Sequence, residues 1–234
     1  MSSNRQTWES FETMRQAAHD GDPQAQCYLG VCFQTGQGVT QDYPEAVKWF
    51  RSAAEQDDPV AQCYLGVCYL NGTGVPQEFG EAAKWLREAA EHGDPAAQFN
   101  LGMLYETGQG VLQNYAEAVK WYRKAAQSGY PAAQFNLGVF YETGQVVPQN
   151  FEEAVKWYRA AARQECAPAQ CNLGLCYQTG RGVAQNQEKA IKWFIRAARQ
   201  GDKTAQHNLG LHYASFESSE AEAVEGETAE PESP

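Results

Sequence analysis

The chain has 234 residues, with 18 basic and 29 acidic side chains and a formal charge of −11. That balance argues against a nucleic-acid reader or a polybasic membrane-surface protein, because both need clustered Lys and Arg. No apolar run reaches the ~18 residues of a membrane span, and the first residues lack the apolar stretch of a secretory leader.

One period organises the rest. Ala-Gln recurs at Ala25, Ala61, Ala97, Ala133, Ala169 and Ala205, always 36 residues apart. Leu-Gly follows in step from Leu29 to Leu209, and an aromatic comes four residues later, from Phe33 to Tyr213. Trp49, Trp85, Trp121, Trp157 and Trp193 share the period, each preceded by Lys. Self-similarity this strict predicts stacked structural units.

In chain order, the first predicted element is a helix near residues 7–19. It is the second helix of a unit whose first helix is missing, with Thr13 at the Trp position, as suits a polar terminal cap. Each full unit then opens on a first helix. Asp22-Pro23, Asp58-Pro59 and Asp94-Pro95 supply an N-cap and a first-turn proline. Ala25, Leu29 and Phe33 then fall on one face at i, i+4 and i+8. Thr35-Gly36-Gln37-Gly38 ends that helix, because glycine permits positive φ. A second helix follows near residues 43–56, with Ala46, Trp49, Phe50 and Ala53 inward, and Gly93 and Gly129 suit its C-terminal end in later copies. Two local departures stand out. Val146 replaces the second loop glycine, which predicts a loop of different shape, and Cys166-Ala167-Pro168 replaces Asp-Pro, which predicts a looser fifth entry turn.

Five such pairs lie between the orphan helix and a last first helix near residues 203–214, about 12 helices in all. The expected fold is an all-α superhelical solenoid of antiparallel helix pairs. Residues 1–20 form an N-terminal capping helix, 21–214 the repeat array of five full units plus a half unit, and 215–234 a disordered tail. The tail holds Glu217, Glu220, Glu222, Glu225, Glu227, Glu230 and Glu232 and no cation, so it supplies seven of the eleven net negative charges. Glu222-Ala223-Val224 within it reads as a decayed second helix, leaving Leu209, Leu211 and Tyr213 partly uncovered.

The pattern A-x-x-x-L-G-x-x-Y-x-x-G-x-G-V followed by A-x-K-W-[FY]-x-x-A-A resembles the Sel-one-like repeat, a relative of the tetratricopeptide repeat. The resemblance covers roughly residues 5–214. It implies adaptor roles in assembling complexes, with the first helices lining a concave groove. It also implies that an Asn of the first helix can hold a peptide's main chain.

The first-helix face opposite Leu29 carries one column of Cys27, Cys63, Phe99, Phe135, Cys171 and His207. A second column holds Val31, Val67, Met103, Val139, Leu175 and Leu211. Phe99, Met103, Phe135 and Val139 are expected to form a central apolar patch, and such patches mark interaction sites. Beside them run Tyr28, Tyr64, Asn100, Asn136, Asn172 and Asn208, whose amides suit either a partner's backbone or a neighbouring helix. The candidate partner-binding residues are therefore Phe99, Asn100, Met103, Phe135, Asn136, Val139, Asn172 and Leu175. Lys48, Lys84, Lys120, Lys156 and Lys192 form an outer row, with Glu three residues earlier in four units, which reads as a solvated face.

Six of the seven cysteines form pairs five apart: Cys27/Cys32, Cys63/Cys68 and Cys171/Cys176. Five residues is about 7.5 Å of rise and 140° of rotation, so neither pair member reaches the other for a disulfide. An odd cysteine count without a leader favours reduced thiols and a cytoplasmic location. A cysteine-rich branch of the resembled family carries bridges between the two helices of a unit, but here no second helix contains Cys. No Ser-x-x-Lys occurs, so a β-lactamase-like hydrolase has no local candidate. The reading is a non-enzymatic scaffold that binds a protein or peptide. It has no cofactor or metal, no nucleic-acid or membrane partner, and is a monomer or weak end-to-end dimer. The alternative is a Cys/His metal or redox protein using Cys27 and Cys63.

Overall fold

The computed structural model describes residues 10–210. The expectations placed on residues 1–9, on Leu211, Tyr213 and on the acidic tail lie outside them. The chain divides into two compact units, residues 1–130 and 131–234. Every element in the described residues is an α-helix, as expected of a solenoid of helix pairs.

The first unit contains α1 (Phe11–His19), α2 (Pro23–Thr35), α3 (Tyr43–Ala54), α4 (Pro59–Asn71), α5 (Phe79–Glu91), α6 (Pro95–Thr107) and α7 (Tyr115–Gln127). Each helix packs on the next in order. The second unit contains α8 (Pro131–Thr143), α9 (Phe151–Ala162), α10 (Ala167–Thr179) and α11 (Gln187–Arg199), followed by α12 (203–210), which reaches the end of the described residues. Here too α8 packs on α9, α9 on α10 and α10 on α11.

Local chemistry sets the helix ends. The carboxylates of Asp22, Asp58 and Asp94 accept the N–H of Ala25, Ala61 and Ala97 at 2.9, 2.7 and 2.7 Å, each with Pro at the first turn. At α10 the N-cap is Cys166, so a thiol stands where α2, α4 and α6 have a carboxylate cap. Helix α1 starts later than its sequence period suggests, because Ser10 and Thr13 form a reciprocal capping box there.

The Leu-Gly motif explains how the two helices of a pair come together. Leu29, Leu65, Leu101, Leu137 and Leu173 are all buried in the core. The glycine after each leaves room for the large side chain 20 residues later. A Cβ placed on Gly102 would stand 2.8 Å from the Tyr122 ring, and one on Gly138 would stand 2.5 Å from that of Tyr158. Both rings are fully buried. Glycine here is a packing requirement, since the helical backbone itself does not need it.

Val146 keeps the left-handed backbone of the glycines it replaces, at φ 70°, so the expected change of loop shape does not occur at this residue. Of the four expected outer pairs, Lys48–Glu45, Lys120–Glu117 and Lys156–Glu153 form at 2.6, 3.2 and 3.2 Å. Lys84 instead lies over the Trp85 ring, 5.0 Å from its centroid.

Candidate partner-binding face of the first helices

The first helices alternate two kinds of position. On α6, α8 and α10 the repeat Ala and Leu are fully buried, whereas the candidate residues between them stay partly open. Phe99, Asn100 and Met103 lie on α6 in the first unit, and all three are half-buried. In the second unit, Phe135, Asn136 and Val139 lie on α8 and Asn172 and Leu175 on α10, again all half-buried. No member of the set is widely exposed, because each also packs locally. Phe99 tilts against Tyr122 and Tyr130, with ring centroids 5.6 and 5.2 Å away, and Phe135 lies 5.9 Å from Tyr158. Met103 flanks the core of the first unit, and Val139 and Leu175 that of the second.

The Asn column is partly scaffold. Tyr158 donates its hydroxyl to Glu142 at 2.5 Å, and the side chain of Asn172 hydrogen-bonds the same hydroxyl. Burial, with that carboxylate, pushes the Tyr158 phenol well above its usual range. Asn172 thus ties α10 to α9 with part of its amide. Tyr64, in the same column, stacks flat on Phe50 at 4.9 Å between centroids.

The thiols are neither bridged nor activated. All seven cysteines are free. Burial pushes Cys27 up to about 12, helped by the hydrogen bond it makes to Asp58. Burial and Asp94 raise Cys63 further, and burial with Asp202 lifts Cys171 to about 12. Metal binding and redox exchange both need thiolate, so these surroundings oppose the chemistry that the Cys27/Cys63 alternative requires. Among the described residues no three His, Cys, Asp or Glu side chains converge as a metal site would need.

Two pairings on this face escaped the column-by-column reading. Cys27, Cys63 and Cys171 bond Asp58, Asp94 and Asp202, in each case the residue 31 positions on, which caps the next first helix. Where Phe99 and Phe135 replace the cysteine, Tyr130 and Cys166 replace the aspartate. Similarly, Tyr122 and Tyr158 bond Glu106 and Glu142, and the other units have no tyrosine and no glutamate at those two positions. Both signals lie in the sequence as matched substitutions between repeats.

The Sel1 repeat matches five consecutive segments, residues 23–58, 59–94, 95–130, 131–166 and 167–202. The chain belongs to the Sel1 repeat family. A Sel1 repeat protein from Oxalobacter formigenes is 38% identical, with a TM-score of 0.78 over 88% of this chain and 90% of that one. The protein c5321, a protective antigen of uropathogenic Escherichia coli strains with the same repeat fold, is 36% identical with a TM-score of 0.80. That alignment covers 88% of this chain but 45% of the Escherichia coli protein, so the chain spans less than half of that relative's length. The immunity protein Pa5087 from Pseudomonas aeruginosa shares the fold at 21% identity, with a TM-score of 0.53 over 83% of this chain and 75% of that one. No curated protein matches the chain. Among the described residues no helix is long and apolar enough to cross a membrane.

Proposed function

We propose that this Sel1 repeat protein is a non-catalytic scaffold that binds a protein or peptide partner through the open face of its first helices. One observation carries the reading. On α6, Leu101 and Leu104 are sealed in the core, while Phe99 and Met103 on the same helix keep accessible surface. α8 repeats the arrangement, with Leu137 and Phe140 buried and Phe135 and Val139 half-open. Apolar side chains held half-open on rigid helices gain on contact with a partner by shedding their remaining water. Asn100 and Asn136 beside them offer amides to a partner's backbone. Seven free cysteines suit a reducing, cytoplasmic setting.

The test is capture of partners from lysate by the intact protein, followed by quantitative rebinding of the identified partner. Binding should survive Lys48→Ala on the outer row and weaken at least about tenfold in the Phe99→Ala/Phe135→Ala double variant. Circular dichroism would confirm that the variant stays helical. An identified partner that binds the double variant unchanged would overturn the reading.

A further inference from the structure

The last described helix pair, α11 with α12, leaves open what the earlier pairs cover. Val47, Ala83, Val119 and Val155 share one position of the second helices, and all four are buried. Ile191 holds that position on α11 and is only half-buried. Ala54, Ala90, Ala126 and Ala162 are sealed too, whereas Ala198 at their position is half-buried. Leu209 on α12 is half-buried where the five earlier leucines of the motif are buried, and a Cβ on Gly210 would meet nothing within 4 Å.

One substitution widens the opening. Arg51, Arg87 and Arg159 reach from their second helices to tyrosine hydroxyls of the following first helices, at 2.6, 3.0 and 3.3 Å. The matching residue of α11 is Ile195, which is half-buried. Ile191, Ile195 and Ala198 stand at i, i+4 and i+7, so they form one apolar stripe along the helix.

Cations line one side of that stripe. At 100° per residue, Arg199 and Lys192 fall about 40° and 60° from Ile195, and Arg196 about 100° away in the same direction. All three are exposed. Lys192 pairs with Glu188, and Arg196 lies over the Trp193 ring, 4.8 Å from its centroid. No ion pair among the described residues involves Arg196 or Arg199. From residue 166 to 210 the sequence holds six Lys or Arg against only Glu188 and Asp202, a net +4 within a chain of −11.

We propose that this cation-rimmed apolar stripe of α11 is the docking site of the chain's own segment 211–234. The segment follows α12 directly, and α12 packs back on α11, with Gln206 Nε2 donating to the Ala198 carbonyl at 3.3 Å. Its length far exceeds the ~20 Å of α11, so reach is no obstacle. It carries seven Glu and no cation, the complement of the rim, and Phe216 and Val224 supply apolar groups for the stripe. Tethering sets its effective concentration near the millimolar range, so weak exposed charge pairs are enough to hold it. Docked there, it gives the last pair the polar outer face that a terminal repeat needs. The site shares no residue with the partner-binding set, so the failure of one reading leaves the other intact.

The test is limited digestion of the intact chain by a glutamate-specific protease, read by mass spectrometry, beside a free peptide of residues 211–234. Docking predicts cleavage between Glu217 and Glu232 at least about fivefold slower in the chain than in the peptide. The protection should fade in about 0.5 M salt, with the peptide digested in the same buffer as reference. It should also fade in a Lys192→Gln/Arg196→Gln/Arg199→Gln variant. Ile191→Ser/Ile195→Ser should weaken it without any change of charge. Circular dichroism would establish that both variants stay helical. Equal cleavage in chain and peptide would overturn the proposal. Protection that survives the triple Gln variant would put the segment elsewhere and overturn the site. Protection that grows with protein concentration would assign the segment to a second copy and overturn docking within one chain.

Discussion

The thiol of Cys63 donates a hydrogen bond to Asp94, the carboxylate that caps the next first helix. The same link joins Cys27 to Asp58 and Cys171 to Asp202. It staples one unit's first helix to the start of the following one. It works only while the sulfur carries its proton.

That requirement fixes the sign of a pH effect. Cys27 and Cys171 titrate near 12 in the folded chain, and an unfolded thiol titrates at about 8.5. The folded state therefore holds these protons more tightly. The stabilisation is fully present below the unfolded value and is lost as pH rises through the folded one. Urea midpoints should fall steadily from about pH 9 to 12, and a Cys27→Ser/Cys171→Ser variant should lose less over that range. An equal fall in both proteins would contradict the assignment.

The same burial predicts silent cysteines. Cys27, Cys32, Cys68, Cys171 and Cys176 are buried. At pH 7.5 they should react with a thiol reagent only after unfolding, while full labelling should follow in denaturant. Rapid labelling of Cys27 in the native protein would show that its surroundings are wrongly described.

Gly102 admits the Tyr122 ring where a methyl group would stand 2.8 Å from it. Gly102→Ala should cost about 1–3 kcal/mol, the usual penalty for overpacking a tight core. Gly93, whose added Cβ would meet nothing within 4 Å, is no control for packing because its φ of 94° carries its own strain. Gly80→Ala is the better comparison, since the added methyl meets nothing and the site lies in helix α5. It should be neutral or stabilising by up to about 1 kcal/mol in thermal or urea unfolding.

A ladder of glutamines runs through the turns between units. Gln56, Gln164 and Gln200 donate to the side-chain oxygens of Gln26, Gln134 and Gln170 at 2.8, 2.9 and 2.8 Å. His92 and Ser128 stand at the matching donor positions for Gln62 and Gln98, whose buried side-chain oxygens lack a partner. His92→Gln should supply the missing donor and raise stability by about 1 kcal/mol. No gain in the urea midpoint would mean that water already fills that role.

Val146 holds φ at 70° with its side chain half in solvent. A β-branched residue is strained there, and glycine is not. Val146→Gly should stabilise by about 1 kcal/mol, and a lower unfolding temperature would count against the strain.

The 36-residue period, the helix ends and the inward Leu column were legible in the sequence, because they depend on contacts within a turn or two of chain and on a motif repeated five times. Asp22 and Ala25, or Leu29 and Phe33, are close in the chain as well as in space. Contacts between helices follow different spacings. Cys63 meets Asp94 across 31 residues, Tyr122 meets Glu106 across 16, and Gly102 meets Tyr122 across 20. A helical wheel places each residue on a face but not opposite its partner. Only the packing decided that Phe99 and Phe135 would be half-covered by tyrosine rings, and that Asn172 would spend part of its amide on Tyr158. Packing also turned the charge of −11 from a property of composition into a placement. The second helices carry most of the cations, which pair with Glu, lie over Trp or, as Arg51 and Arg87 do, donate to tyrosine hydroxyls of the first helices.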